Sequence, residues 1–436
     1  MISVAIPLLT IYSLCSSVSS NSTHLPLLPL VLIILSPRET DLRAPLSTTL
    51  ALLHGVSFTS CRLRIRLQCP GHAVHSSREL GADGLQGLPR HHGTLIVLIP
   101  VPTDEKVQTW GQQNTPEEGV AQLNEAFDVF GVNFLDTAEM YPVPTRKETQ
   151  GDTDRVVARW LAGRDRSKVI LATKVSGPGI TWLPGRDGKS SRVTAREIEL
   201  SVDFSLQRLG TDYIDLLQIH WPDRYVPLFG AAPYNFSLER EAVSFEEQLT
   251  AMDKLIKSGK VRYFGVSNET PYGVMKFAAI AEKLGLPKLI SIQNSYSLIT
   301  RSDYEAGLVE VCSPRNENVG LLAYSPLAGG ILTGKYSDPN VSSGSRLNIF
   351  PGYMQRFKQS LCVAAVDEYS RIAVKHGLTP AELALAWCYS QPHVASTSES
   401  LIAILLVLFS NLTQLSEPLL LSNYARIWEP SRSAIL

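Results

Sequence analysis

The sequence lacks three features that would each indicate a particular class of protein. No Gly-x-Gly-x-x-Gly occurs, which argues against a doubly wound nucleotide-binding sheet. The six cysteines include no Cys-x-x-Cys pair and no metal-binding spacing, so we expect reduced thiols and no metal site. The formal net charge is -1 and no basic stripe is present, so we expect no nucleic-acid partner.

Lysine is absent from the first 105 residues, and long apolar runs are absent from the whole chain. The apolar stretches 25–36 and 401–409 are shorter than the roughly 20 residues that span a bilayer, so we expect no stable membrane insertion. Residues 1–105 are rich in Ser and Leu and poor in acids, which is the composition of a transit peptide. A mis-assigned reading frame or exon would give the same composition, and both interpretations stay open.

From about residue 106 the chain alternates between apolar strands and amphipathic helices. The segment 115–131 has a Thr cap, a Pro at the first helical position and a closing Gly. Seven strands can be counted between residues 130 and 397, with room for one more before Trp110. Eight β/α repeats over roughly 250 residues predict an α/β protein with a (β/α)8 TIM barrel. We therefore predict a leader (1–105), a barrel (106–397) and a divergent C-terminal tail (398–436).

Polar side chains gather at the carboxyl ends of the predicted strands, where the active site of such a barrel lies. Asp136 and Tyr141 follow strand two, Lys174 ends strand three and His220 ends strand four. A nearby lysine lowers the pKa of a tyrosine from about 10, and an acid paired with that lysine holds it in place. A histidine can hydrogen-bond a substrate oxygen and orient it. The four residues thus form a proton-delivery set for reducing a carbonyl, with a nicotinamide as the source of hydride.

Each of these residues also has an ordinary structural interpretation. Asp136 could cap a βα loop, Tyr141 could be a surface turn residue, and Lys174 could be a solvated strand end. A lone buried histidine such as His220 is more often structural than catalytic. The functional interpretation is favoured because the four residues occur together at successive strand ends.

Six segments of the chain resemble the aldo-keto reductases, in particular their Tas-like bacterial and plant branch. The segments are NFLDTAEMYPVPTRKETQG, VILATKVSGP, DLLQIHWPDR, FGVSNETPYGV, IQNSYSL and AYSPLAGGILTGKY. The resemblance covers roughly residues 107 to 397. It implies a barrel that binds NADPH and reduces a small-molecule carbonyl substrate. It also implies that the catalytic tetrad of the family is Asp136, Tyr141, Lys174 and His220.

The resemblance further implies which residues bind the cofactor. Ser267, Asn268 and Gln293 would contact the carboxamide of the nicotinamide, and Tyr324 would stack on its ring. The other implied contacts, at the end of strand one, the pyrophosphate and the adenosine phosphate, are Thr109, Trp110, Ser325, Leu327, Gly329, Lys335 and Arg346. The variable loops 176–193 and 222–243 would select the substrate, and the second is rich in aromatic residues and prolines.

The chain departs from the family pattern at both ends of the predicted barrel. The apolar segment 93–101 stands where the family has strand one, and we expect it to replace that strand. After residue 397 the Gly-containing turn and the helical Glu–Asn pair of the family are missing. We therefore expect an altered first strand and an altered last β/α unit.

Three functions follow from this resemblance. The leading one is an NADPH-dependent carbonyl reductase. The second is a regulatory binding subunit of the potassium-channel β type, a branch that typically lacks the histidine found here as His220. The third is a catalytically impaired splice or gene-model variant. The resemblance to plant members and the acid-poor leader indicate the chloroplast, with the cytoplasm as the alternative; the oligomeric state is not predicted.

Overall fold

The computed structural model describes residues 94–97, 115–230, 233–337, 340–341, 343–350, 352 and 354–399. Every described residue lies within the segment 77–436. Most of the predicted leader lies outside the described residues, as does the tail from residue 400.

Eight parallel strands follow one another in chain order around a closed barrel. They are β1 (Thr94–Val97), β2 (Phe134–Asp136), β3 (Ile170–Val175), β4 (Ile214–Ile219), β5 (Val261–Ser267), β6 (Ser291–Ser295), β7 (Gly320–Tyr324) and β8 (Val394–Glu399). β1 pairs with both β2 and β8, which closes the barrel. The predicted (β/α)8 architecture is confirmed. β1 lies within the segment 93–101 that we expected to replace strand one, and ahead of the predicted barrel start at residue 106.

Helices cover the strands on the outside. They are α1 (Pro116–Asn124), α2 (Asp152–Leu161), α3 (Ala195–Leu209), α4 (Phe245–Lys257), α5 (Pro271–Leu284), α6 (Ser302–Glu305), α7 (Leu308–Val311), α8 (Arg346–Ile349), α9 (Ser360–Lys375) and α10 (Pro380–Ser390). The predicted Thr cap is present, because Thr115 and Glu118 form a reciprocal capping box. The predicted helix over 115–131 changes to a π-helical turn at Glu125–Val129. Among the described residues, no helix combines the length and apolar content needed to cross a membrane.

Side chains alternate between the two faces of a strand, and β2, β3 and β4 are buried on both faces. On the outer face, Leu217, Phe264 and Ile292 pack in one apolar cluster with helix residues. On the inner face, Phe134, Leu216 and Leu322 belong to a separate apolar cluster. The next inward positions along β2, β3 and β4 are polar, and they are Asp136, Lys174 and Gln218. A polar layer therefore lies on an apolar one toward the carboxyl ends of the strands.

The amino-terminal end of the barrel contains an ion cluster of its own. Asp215, near the start of β4, accepts hydrogen bonds from Arg166 Nη2 at 2.7 Å and Arg262 Nη1 at 2.8 Å. The ring of Tyr213 contacts both guanidinium groups, with centroid distances of 4.0 and 4.1 Å. Arg166 also donates to the carbonyl oxygen of Val169 at 2.6 Å. The cluster therefore ties together the segments that open β3, β4 and β5.

Candidate active site

A buried lysine–aspartate pair lies at the centre of the polar layer. Lys174 Nζ donates to Asp136 Oδ2 and, at 3.0 Å, to the carbonyl oxygen of Thr137. Two amides complete the coordination of the carboxylate: Gln218 Nε2 donates to Oδ1 at 2.7 Å, and Gln293 Nε2 donates to Oδ2 at 3.3 Å. Both charged side chains are fully buried. The pair thus joins β2, β3, β4 and β6 through one carboxylate.

Burial shifts the proton equilibria of both partners. It raises the pKa of Asp136 above its usual value, against the attraction of the Lys174 ammonium. It also lowers the pKa of Lys174, against the attraction of the Asp136 carboxylate. Lys174 is consequently easier to deprotonate than a lysine on the surface.

Tyr141 and His220 lie beside this pair. The centre of the Tyr141 ring is 5.1 Å from Lys174 Nζ, and it meets the His220 ring edge to face at 5.7 Å. The His220 Nδ1 is buried and has no hydrogen-bond partner within the described part of the chain. Desolvation, followed by the Lys174 charge, lowers the pKa of His220 well below its usual 6.5. The imidazole is therefore neutral near pH 7 and carries one N–H donor and one acceptor nitrogen.

A second group of predicted residues lies at the ends of β5, β6 and β7. Ser267 Oγ donates to the carbonyl oxygen of Gln293 at 2.7 Å. Asn268 Nδ2 donates to the carbonyl oxygen of His220 at 2.9 Å, and Asn268 Oδ1 accepts from the Tyr324 hydroxyl at 2.7 Å. Asn268 has a φ of 52°, a left-handed conformation that asparagine tolerates better than most residues. The structure thus links these predicted residues to the end of the strand that precedes His220.

The predicted pyrophosphate loop follows β7. Ser325 and Gly329 have φ values of 57° and 70°, so the backbone turns sharply there. A Cβ added at Gly329 would lie 2.5 Å from Met354 Sδ, so the Met354 side chain would have to move to admit it. Leu327 is on the same loop, and Lys335 Nζ lies 5.3 Å from the centre of the Tyr336 ring.

The side chains of three predicted residues lie outside the described part of the structure. Arg346 begins α8, but its side chain lies outside the described part of the structure. Thr109 and Trp110 lie outside the described residues altogether.

Gln218 is the residue that sequence reasoning missed. It bonds to Asp136 on one side, and its Oε1 accepts from Gln293 Nε2 at 3.2 Å. It lies on β4, two residues before His220, which directly follows that strand. An amide two residues after Leu216, on the inward face of β4, was the signal that could have identified it.

Comparisons with known proteins identify the family to which the chain is similar. The sequence profile of the Aldo/keto reductase family matches residues 106–421. Protein tas of Escherichia coli (strain K12) is 45% identical over 292 residues, which cover 66% of this chain and 82% of that protein. An aldo-keto reductase of Babesia bovis is 43% identical over 244 residues, covering 53% and 84%. A putative voltage-gated potassium channel subunit beta of Schizosaccharomyces pombe is 32% identical over 281 residues, covering 63% and 72%.

The profile match covers more than half of the chain, and relatives that include the Escherichia coli and Babesia bovis proteins exceed 40% identity. The resemblance to Tas-like proteins that the sequence motifs indicated is confirmed. The chain therefore belongs to the aldo/keto reductase family of oxidoreductases, which reduce carbonyl groups.

Proposed function

We propose that this chain uses NADPH to reduce an aldehyde or ketone to the corresponding alcohol. The observation that carries the proposal is the fully buried Asp136–Lys174 pair next to the ring of Tyr141. Burying two charges costs desolvation free energy, so a buried ion pair is an unfavourable way to stabilise a fold. Beside a phenol and a neutral imidazole, the same pair can control the delivery of a proton.

Each residue of the tetrad then has a chemical role. Tyr141 acts as general acid and gives its phenolic proton to the substrate oxygen. Lys174 favours the phenolate that remains, because a positive charge nearby stabilises the anion. Asp136 holds the lysine in place. His220 is buried and neutral, and it hydrogen-bonds the substrate oxygen and orients the carbonyl.

The residues at the ends of β5 to β7 fit a nicotinamide. A primary carboxamide needs both donors and acceptors, and the Ser267 hydroxyl with the Asn268 and Gln293 amides offers both. Tyr324 is fixed by its bond to Asn268, with its ring at the end of β7. When bound, the cofactor supplies the hydride. The choice of NADPH rests on the family resemblance, which assigns Arg346 to the adenosine phosphate.

The substrate is proposed to be a small molecule held between loops 176–193 and 222–243. In the second loop the rings of Tyr225, Tyr234 and Phe236 contact one another edge to face at 5.2 and 5.3 Å. Phe236 is 79% exposed, so this loop presents an apolar surface. Location in the chloroplast remains a prediction.

A second candidate function is regulatory binding of the potassium-channel β type. The 32% identity to the putative voltage-gated potassium channel subunit beta of Schizosaccharomyces pombe favours it. His220, together with the complete Asp136, Tyr141 and Lys174 set, favours the enzyme. The two functions differ in one measurable respect, because a regulatory subunit would bind NADPH without rapid turnover.

The substitution Tyr141→Phe tests the proposal. It removes the proton donor and retains the ring, so carbonyl reduction should slow by about 10²- to 10⁴-fold. Binding of NADPH should be retained, since the phenol is not among the predicted cofactor contacts. The measurements are NADPH oxidation with a reactive aldehyde and NADPH titration followed by protein fluorescence.

Retained turnover in Tyr141→Phe would contradict the tetrad. A wild-type chain that binds NADPH but reduces no carbonyl would favour the regulatory function. A folded wild-type chain that binds no NADPH would favour the third function, a catalytically impaired splice or gene-model variant. The altered residues after 397 would then be the expected cause.

A further inference from the structure

A short turn joins two members of the proposed tetrad. Asp136 ends β2, and Tyr141 follows after four residues, Thr137 to Met140. The conformation of this turn therefore sets the position of the phenol relative to Lys174. Thr137 N–H donates to the carbonyl oxygen of Ala172 at 2.9 Å, which fixes the start of the turn on β3.

Glu139 fixes the middle of the turn by hydrogen bonds to the backbone of Lys174 and Ser176. Its N–H donates to the carbonyl oxygen of Lys174 at 3.2 Å, and its Oε1 accepts from the N–H of Ser176 at 2.7 Å. Its carbonyl oxygen accepts a hydrogen bond from the Gln150 side chain. One residue thus binds the backbone of the lysine that lies next to the Tyr141 ring and the backbone two residues farther along.

The counter-charge for Glu139 comes from a different segment. Arg186, in loop 176–193, has its Nη2 3.3 Å from both carboxylate oxygens of Glu139. The two residues are 2% and 1% exposed, so the Glu139 carboxylate is cut off from water. A buried carboxylate is stable in its charged form only with a partner, and Arg186 is that partner.

Arg186 is in turn held by the helix that follows its loop. Its Nε donates to Glu197 Oε2 at 2.9 Å, and its Nη2 donates to Ser201 Oγ at 2.7 Å, both on α3. A third bond runs from Nη1 to the carbonyl oxygen of Pro184 at 3.1 Å. The planar guanidinium reaches four groups in fixed directions, which a lysine could not do.

We propose that Glu139 is a positioning residue for the proton transfer from Tyr141. Arg186 makes that position depend on loop 176–193 lying against the barrel. The inference rests on the proposed function, in which Tyr141 is the proton donor. An ion pair that served stability alone would not need to bond to the backbone of Lys174 and of Ser176. The pair therefore links the segment predicted to select the substrate with the geometry of the proposed acid.

Two substitutions at Glu139 separate the hydrogen bond from the charge. Glu139→Gln retains an acceptor for the Ser176 N–H, whereas Glu139→Ala removes it. A misplacement of about 1 Å at a reacting group can cost on the order of 10²-fold. We expect Glu139→Ala to slow single-turnover reduction by about that factor, with NADPH affinity unchanged, and Glu139→Gln to retain most of the rate.

The role of Arg186 is tested with a charge-neutral pair of changes. Arg186→Met alone leaves Glu139 buried without a cation, and this variant is at risk of misfolding. In the double variant Glu139→Gln with Arg186→Met the residue at 139 is neutral, and Glu197 keeps the hydrogen bond from the Arg192 N–H at 2.8 Å. It should fold, bind NADPH and reduce the carbonyl slowly, because the loop no longer holds the turn.

Two controls and one independent measurement complete the design. Ser201→Ala removes a contact of the same guanidinium without touching the turn, and Arg166→Met breaks an arginine–carboxylate pair at the opposite end of the barrel. Both should retain the wild-type single-turnover rate. Amide hydrogen exchange of residues 137–141 in the NADPH-free protein should accelerate in Glu139→Ala and in the double variant, but not in either control.

The outcomes separate this inference from the proposed function. If wild type is active, Tyr141→Phe is inactive and Glu139→Ala is as fast as wild type, the positioning role is wrong and the function stands. If wild type reduces no carbonyl, the proposed function is wrong. The exchange measurement then still tests whether loop 176–193 holds the turn. Unchanged exchange of residues 137–141 in the double variant would show that it does not.

Discussion

The two ends of the barrel each bury a carboxylate among cations, but with different partners. At the carboxyl end, Asp136 pairs with Lys174 and with two glutamine amides. At the amino end, Asp215 pairs with Arg166 and Arg262. The lysine is fully buried, whereas the side chain of Arg262 is 52% exposed.

This difference separates an ion pair whose cation can lose its proton from one whose cations stay charged. Arginine stays protonated under all physiological conditions and presents its donors in a rigid fork. The pKa of Lys174 is lowered by burial and responds to the charge of its neighbours. The amino end is therefore suited to holding strands together, and the carboxyl end to moving a proton. In barrels of this class, stability and catalysis are divided between the two ends in the same way.

The largest expected effect comes from Lys174→Met. The change leaves the Asp136 carboxylate buried without its cation, which costs about 3–5 kcal/mol of unfolding free energy. Reduction of the carbonyl should also fall by about 10²- to 10⁴-fold, because the phenolate loses its stabilising charge. Denaturant unfolding and the turnover assay measure the two losses separately.

A compensated variant makes the Lys174 test specific. Asp136→Asn together with Lys174→Met removes both charges and should recover most of the lost stability. It should not recover activity. Recovery of both properties would show that the pair serves the fold alone and that the two ends of the barrel do not differ in function.

Arg166→Met is the matched change at the amino end, and its effect should be smaller. Asp215 keeps Arg262 and the N–H of Leu171 as donors, at 2.8 and 2.9 Å. Loss of a single hydrogen-bonding partner of a buried group costs about 1–3 kcal/mol. We expect that loss in denaturant unfolding, with a rate of carbonyl reduction equal to that of wild type. A large loss of rate would remove the contrast between the ends.

The smallest expected effect is the pH dependence of stability that His220 adds. Its folded-state pKa is lowered well below 6.5, so the unfolded chain binds a proton there that the folded chain does not. Stability is therefore fully present above pH 6.5 and decreases as the pH falls below it, by at most about 1.4 kcal/mol per pH unit. Unfolding of wild type and of His220→Gln between pH 7 and 5 should diverge in that direction. Parallel curves of unfolding free energy against pH would contradict the lowered pKa of His220. Burial also lowers the pKa of His393, but His393 is present in both proteins and does not affect their difference.

Much of the architecture could be predicted from local sequence signals. Apolar runs marked β2 to β8, and the cap at Thr115 marked the start of α1, because both signals lie within a few residues. The positions of Asp136, Lys174 and His220 followed from one rule, that the carboxyl ends of parallel strands meet at one rim. β1 lies inside the expected apolar segment 93–101, but the pattern did not predict its four-residue extent.

The features that could not be predicted depend on pairs that are distant in sequence. Gln218 is 82 residues from Asp136, and Arg186 is 47 residues from Glu139. No periodicity in a single sequence marks such contacts, since each residue has an ordinary local explanation. The change from α1 to a π-helical turn was missed for another reason. It alters the backbone hydrogen bonds of Glu125–Val129 while leaving the pattern of apolar side chains almost the same.

The pairing of β1 with β8 also has a consequence for how the chain is made. Leu95 pairs with Ser398, so the two residues that close the barrel are roughly 300 residues apart. A ribosome that adds about 5–20 residues per second needs on the order of 15–60 s to cover that distance. During that interval β1 can pair with β2 once β2 has been made, but it has no partner on its other side. An unpaired strand edge invites pairing with another chain, so the nascent protein is exposed to aggregation until β8 emerges.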